Sequence, residues 1–199
     1  MSQSTQSLSV LIFGATGGIG SALARQLAPL GYGLALAARD RGRLVALARD
    51  LNADSYPVES TDAATVENCV GSAFEKHSRL DGAVNCVGSL LLKPAHLTTD
   101  EEWSGVLAAN LTSSFYILRS AASRMMRHGG GSIVLMSSAV AQRGMINHEA
   151  IAAAKAGVVG LAQSAAATYA RYNVRVNCVA PGLTRTPLTA SLTKSDAVL

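Results

Sequence analysis

VLIFGATGGIG, residues Val10–Gly20, joins an apolar run to a run rich in glycine. The apolar part, Leu8–Phe13, is too short for a helix and reads as a strand buried on both faces. Ile19–Leu30 has helical spacing, and Pro29 and Gly31 punctuate its end. Gly14, Gly18 and Gly20 therefore lie between a strand and the helix that follows it. Glycines there permit a tight turn and a close backbone approach. The helix N-terminus then presents unpaired N–H donors to a phosphate group. A glycine triplet alone is weak evidence, but strand, glycines and helix in this order are much stronger.

The same alternation continues along the chain. Gly33–Ala38 is apolar, and Arg41–Leu51 carries Leu44, Leu47 and Leu51 at helical spacing. Ser55–Val58 reads as a short strand, Ala63–His77 as a helix and Gly82–Cys86 as a strand. Asp100–Arg127 reads as one long helix. Ser132–Ser137 is a strand after the flexible HGGG, Glu149–Tyr172 a helix and Val174–Val179 a strand. β-like runs separated by helical runs imply βαβ units. Their right-handed crossovers give a parallel sheet with helices on both faces.

Composition agrees with that layering. The 199 residues suit a single domain. Nearly half are apolar and 15 % are charged, which supports a large core and argues against disorder. The formal charge of +4 is scattered over Arg39, Arg41, Arg43, Arg124, Arg127, Arg171 and Arg175. A nucleic-acid surface would need clustered charge with exposed aromatics, so nucleic acid is not an expected partner. Cys69, Cys86 and Cys178 show no CxxC spacing and no His/Cys cluster. No metal site or disulfide framework is expected, and reduced thiols in a cytoplasmic protein fit best. The polar N-terminus MSQSTQSLS lacks a basic leader, and VLIFGA is too short for a signal core or a membrane span.

At the glycines the chain resembles the short-chain dehydrogenase/reductase family, whose fingerprint is TGxxxGxG; here Phe13 replaces the threonine. The likeness extends over nearly the whole chain. DGAVNCVG (Asp81–Gly88) is similar to the family's NNAG region, with Asn85 and Gly88 kept and Cys86 departing. Asn110 in LAANLTSSF matches the family's active-site asparagine, and Ser138 in VLMSSAVA its catalytic serine. VRVNCVAPGLTRT matches the region after the sixth strand, with Asn177, Pro181, Gly182 and Thr186. The resemblance implies a Rossmann-type, doubly wound, three-layer α/β/α domain that binds a nicotinamide dinucleotide. The cofactor would lie against Gly14, Thr16, Gly18, Ile19, Gly20, Glu59, Ser60, Asn85, Gly88, Lys155, Pro181, Gly182 and Thr186. Glu59 and Ser60 occupy the place where the family has an acid or amide beside the adenine.

The end of the second strand distinguishes the two nicotinamide cofactors. An acid there accepts from the ribose 2′-hydroxyl of NAD and repels a 2′-phosphate. In LAARDRGR, Ala38 holds the acid's position and Arg39 follows it. A guanidinium matches phosphate in charge and geometry, so NADP(H) is expected over NAD(H). Asp40 is expected to open the next helix, while Arg41 and Arg43 are further candidates to face the phosphate.

The resemblance also exposes a gap. The family's active residues are Asn, Ser, Tyr and Lys, the last two as YxxxK on one helix. Lys155 is present, but Ile151 stands where the tyrosine belongs. Isoleucine neither donates nor accepts a proton, and loss of a general acid costs about 10²–10⁴-fold in rate. Tyr116, Tyr169 and Tyr172 lie elsewhere. His148 is the candidate substitute. Positions 148, 151, 152 and 155 share a helical face, and His-x6-Lys is similar to the Tyr-x6-Lys of a divergent enoyl-reductase branch. Placed so, a neutral His148 would polarise a substrate oxygen. The blander reading makes it a polar residue after an Asn147 N-cap. The functional expectation is an NADP(H)-dependent oxidoreductase acting on a carbonyl or activated alkene. The alternative is a nucleotide-binding partner or regulatory protein with impaired catalysis.

Family members usually continue beyond the equivalent of PLTASLTKSDAVL with further helices and a seventh strand, which this sequence lacks. The two long helices are similar to those of the family's four-helix interface, so a homodimer or homotetramer is expected, acting on a small molecule without a membrane.

Overall fold

The computed structural model of the chain describes residues 7–193. Its strands are β1 (Ser9–Phe13), β2 (Gly33–Ala38), β3 (Asp54–Pro57), β4 (Gly82–Asn85), β5 (Gly131–Met136) and β6 (Val174–Val179). They form one parallel sheet in the order β3-β2-β1-β4-β5-β6. The connecting helices are α1 (Gly18–Leu27), α2 (Arg41–Leu51), α3 (Ala63–His77), α4 (Asp100–Leu107), α5 (Ser113–Met125) and α6 (Glu149–Tyr169). This is the expected doubly wound α/β architecture.

The strands look uniformly apolar because both faces of the sheet are covered. Leu11, Phe13, Ala35, Ala37, Ile133 and Leu135 point toward α3, α5 and α6. Val10, Ile12, Leu34 and Leu36 point to the other side, toward α1 and α2. Adjacent residues thus enter different cores, as a two-residue period demands. The direction in which successive strands are added reverses at β1, which pairs with β2 on one side and β4 on the other. The ends of β1 and β4 consequently open a crevice, where doubly wound sheets bind ligands.

Helix starts follow local chemistry. Asp40 caps α2 by accepting from Arg43 N at 3.0 Å, and Asp62 caps α3 from Thr65 N at 2.9 Å. Thr99 and Glu102 form a reciprocal capping box at α4.

Two expectations need correction. Asp100–Arg127 is not one uniform helix: α4 and α5 are joined by a π turn at Ala108–Thr112, where the wider i→i+5 pairing inserts a bulge. The N-cap of α6 is His148, not Asn147, because Asn147 adopts a left-handed φ of +62° outside the helix. His77, in the last turn of α3, is largely covered, with Nε2 3.2 Å from Asp54 Oδ2.

Candidate active site

The glycine loop leaves β1 and turns under β4. Gly14 has φ +71°, and a Cβ there would stand 2.8 Å from the carbonyl carbon of Cys86. A Cβ on Gly20 would collide with the Gly14 carbonyl oxygen. Only glycine fits either position, so the loop is compact and α1 begins directly at the crevice. The first-turn N–H groups of a helix lack intrahelical partners and face outward.

Beside the loop lies a cleft of about 590 Å³. Gly14, Thr16, Ala38, Arg39, Arg43, Glu59, Ser60 and Gly88 are among its lining residues. Arg39 is exposed, its Nη1 3.9 Å from Glu59 Oε2. The other Glu59 oxygen accepts from Thr61 N and Oγ1 at 3.3 and 2.9 Å. Arg43 Nη2 donates to the Thr16 carbonyl at 2.6 Å and ties α2 to the glycine loop. Arg41 does not line the cleft.

A smaller cavity, about 170 Å³, adjoins it. Here the fold gathers Ile19, Gly88, Asn110, Ser138, Ile151, Lys155, Pro181, Gly182 and Thr186. The segment after β6 reaches back to α1: a Cβ on Gly18 would lie 2.7 Å from Thr186 Cβ. Asn110 sits in the π turn, fully buried. Its Nδ2 donates to Val106 O at 2.9 Å and Ser89 Oγ at 3.0 Å, while Oδ1 accepts from Ser89 N at 3.2 Å. Asn85 is buried just below, donating to Ser114 Oγ and accepting from Val87 N, both at 2.9 Å. It shapes the loop and does not line the cavity.

Ser138, two residues beyond β5, is extended and caps the short turn Ala139–Ala141. Lys155 crosses from α6, only 8 % exposed, and Nζ donates to the Met136 carbonyl at 2.8 Å. Burial pushes its pKa down to about 8, against a small opposing effect of the Cys178 and Cys86 thiols. Burial raises the Cys86 thiol to about 11 and also raises Cys178. Cys86 and Cys178 pack against opposite faces of the sheet.

Ile151 lines the cavity one turn before Lys155, so its alkyl chain replaces a phenol at the wall. The structure does not bring His148 into this set. His148 is absent from the lining, and its Nδ1 lies 2.7 Å from the Ile146 carbonyl oxygen. That oxygen can only accept, so Nδ1 carries the proton, and in the neutral ring Nε2 is left as an acceptor. The neutral ring therefore has no free N–H to offer in this pose. Two positioning residues went unremarked in the sequence. Ser137 Oγ donates to the Lys155 carbonyl at 2.9 Å and ties α6 to β5. Its parity with Ile133 and Leu135 on β5 carried that signal. Ser89, which holds Asn110, had no signal beyond its place after Gly88.

A glycine loop at the switch point, a cleft with arginine at the ribose end, and an Asn/Ser/Lys cavity beyond it define a dinucleotide-dependent oxidoreductase scaffold. Residues 9–197 match the family of short chain dehydrogenases, and the chain belongs to that family. It is 33% identical over 183 residues to a D-threitol dehydrogenase of Mycolicibacterium smegmatis, covering 89% of this chain and 70% of that protein. It is 34% identical over 196 residues to carbonyl reductase family member 4 of Danio rerio, covering 94% and 80%. Among solved structures, an actinorhodin polyketide ketoreductase variant with NADPH superposes with a TM-score of 0.90 at 29% identity, covering 94% of this chain and 75% of that one.

Proposed function

We propose that the protein is an NADP(H)-dependent oxidoreductase that reduces a carbonyl or an activated alkene. The observation carrying this reading is Arg39, which follows Ala38 at the rim of the nucleotide cleft with no acid in the selecting position. The residues present suit such a cofactor. The Gly14–Gly20 loop would take the diphosphate, Arg39 the 2′-phosphate, and Glu59 with Ser60 the adenine edge. Lys155 would hold the nicotinamide ribose, and Pro181, Gly182 and Thr186 the carboxamide end. The reduced nicotinamide supplies a hydride. Ser138 offers a hydroxyl to the substrate oxygen, and Asn110 fixes the wall opposite through Ser89. The aligned ketoreductase carries NADPH and other relatives are named reductases, which supports the assignment.

Calorimetry with NADPH and NADH, followed by NADPH oxidation with ketones, β-ketoesters and enones, tests the reading. Tighter NADPH binding with turnover of at least one class is expected; equal affinities for the two cofactors would sink the cofactor assignment. One observation favours a second reading, a nucleotide-binding partner without turnover: no phenol lines the cavity among the described residues. NADPH binding with no reduction across the screen would support it.

A further inference from the structure

We propose that Lys155 itself, rather than a tyrosine or His148, delivers the proton to the substrate oxygen. The proposal rests on the oxidoreductase reading above. The cavity holding Ser138 and Asn110 is lined by only two ionisable side chains among the described residues, Lys155 and Cys86. No Asp, Glu, His or Tyr lines it. Ile151 and Lys155 both line this cavity, one turn apart on α6. Nothing ionisable therefore stands between the ammonium and the cavity. The ammonium donates to the Met136 carbonyl and retains two further N–H groups, one for the nicotinamide ribose assigned above and one for the substrate oxygen.

The groups facing it set its acidity. The end of β4 presents the Cys86 thiol and β6 the Cys178 thiol, both uncharged at neutral pH because burial raises them. β5 presents the Met136 carbonyl, the segment after it the Ser137 and Ser138 hydroxyls, and the π turn Asn110, all neutral. Burial without a carboxylate partner lowers the lysine to about 8. Such a group is protonated at neutral pH yet a far better acid than ordinary lysine, the balance a general acid needs.

The step balances. As hydride reaches the carbonyl carbon, the C=O π pair moves onto oxygen. One N–H bond of Lys155 breaks and an O–H bond forms, giving an alcohol and a neutral amine. Water then reprotonates the amine. The donor must be charged, so the rate holds below about pH 8 and falls about tenfold per unit above it.

The experiment uses the full chain saturated with NADPH, with ethyl acetoacetate or diacetyl as probe. The hydride-transfer rate is followed by stopped flow across pH. In parallel the Lys155 amine is titrated by NMR in lysine-labelled protein, its signal assigned by its loss in Lys155→Arg. A titration near 8, matched by the kinetic limb, is expected. Lys155→Ala should lose 10²–10⁴-fold in rate and be partly rescued by added ethylamine, with rescue across amines following their acidity. Lys155→Arg keeps the charge, stays protonated and should show no limb below pH 10. An amine that titrates in the ordinary lysine range, an unchanged limb in Lys155→Arg, or rescue indifferent to amine acidity overturns the proposal. So does loss of turnover in His148→Gln with Lys155 titration intact. Failure of the oxidoreductase reading looks different: no NADPH oxidation by the unmodified protein with any probe, whether or not calorimetry shows NADPH binding, and whatever the lysine titration shows.

Discussion

Ile151 is 4 % exposed and packs with Val106, Ala150 and Ala154, beneath Leu91 and Val140. Ile151→Tyr would place a ring in filled space. Overpacking of this kind costs about 1–3 kcal/mol, which urea unfolding should register. If the ring is accommodated, its hydroxyl enters a cavity that already holds Ser138 and Lys155, and ketone reduction should rise. At the other end of the site, Arg39 and Arg43 differ in role. Arg39 pairs with Glu59 at the cleft rim, whereas Arg43 anchors Thr16 in the glycine loop. Arg39→Ala should weaken NADPH and spare NADH; Arg43→Ala should weaken both, as read by calorimetry with each cofactor. Equal losses of both cofactors in Arg39→Ala would exclude its phosphate role. The sequence made these residues legible as chemistry but not as orientation. The helical wheel placed His148 beside Lys155 because it assumed a helix through residue 148. The left-handed Asn147 means that α6 starts at Glu149, and His148 turns back to Ile146.

Strands and most helices were legible because their signals are local. α2, α3 and β6 have the ends that spacing and capping residues predict, with Asp40 and Asp62 as the caps. The π turn was not legible, because one inserted residue shifts the apolar pattern without breaking it. That turn depends on tertiary contacts made by Asn110, whose side chain bridges α4 to the loop at Ser89. Asn110→Ala leaves these partners unsatisfied in a buried place. A loss of about 1–3 kcal/mol is expected, seen as a Tm several degrees lower. A second element contact has a pH signature. Glu67 on α3 accepts from Ser120 Oγ at 2.5 Å and Arg124 Nη1 at 2.7 Å, both on α5. The Ser120 hydrogen bond, helped by Arg124 and opposed by burial, holds its pKa below the usual carboxylate value. A depressed folded-state pKa stabilises above the unfolded value and is lost as pH falls through the folded one. Stability should therefore decline below about pH 4.3, by a small amount because the side chain is half exposed. In Glu67→Gln that part of the acid limb should flatten in urea titrations.

At the scale of the whole molecule, the sheet and its two helical layers leave one helix with two kinds of face. α6 and its 3-10 extension, Glu149–Tyr172, are long and apolar enough to cross a membrane by length and composition. The fold accounts for much of that character: Ala150, Ile151, Ala154, Val158, Ala162 and Ala165 are buried in this molecule's own core. The remainder is a stripe of small exposed residues, Ala153, Ala156, Gly160, Ser164 and Ala167, spaced three and four apart. Such a stripe admits a second helix at close range. On α4 and α5, Trp103 and Phe115 are exposed, and Arg119 Cζ lies 5.3 Å from the Phe115 ring centroid. Aromatics and arginine beside small residues are the composition of an interface centre. We therefore expect at least a dimer, joined through α5 and α6, as the family resemblance also implies. Light scattering at micromolar concentration should give a mass of two chains or a multiple. Gly160→Glu places a charge on the stripe, away from the nucleotide cleft, and should shift the mass toward one chain while NADPH still binds. A single-chain mass for the unmodified protein across that range would refute the assembly, and an unchanged mass in Gly160→Glu would move the interface off α6.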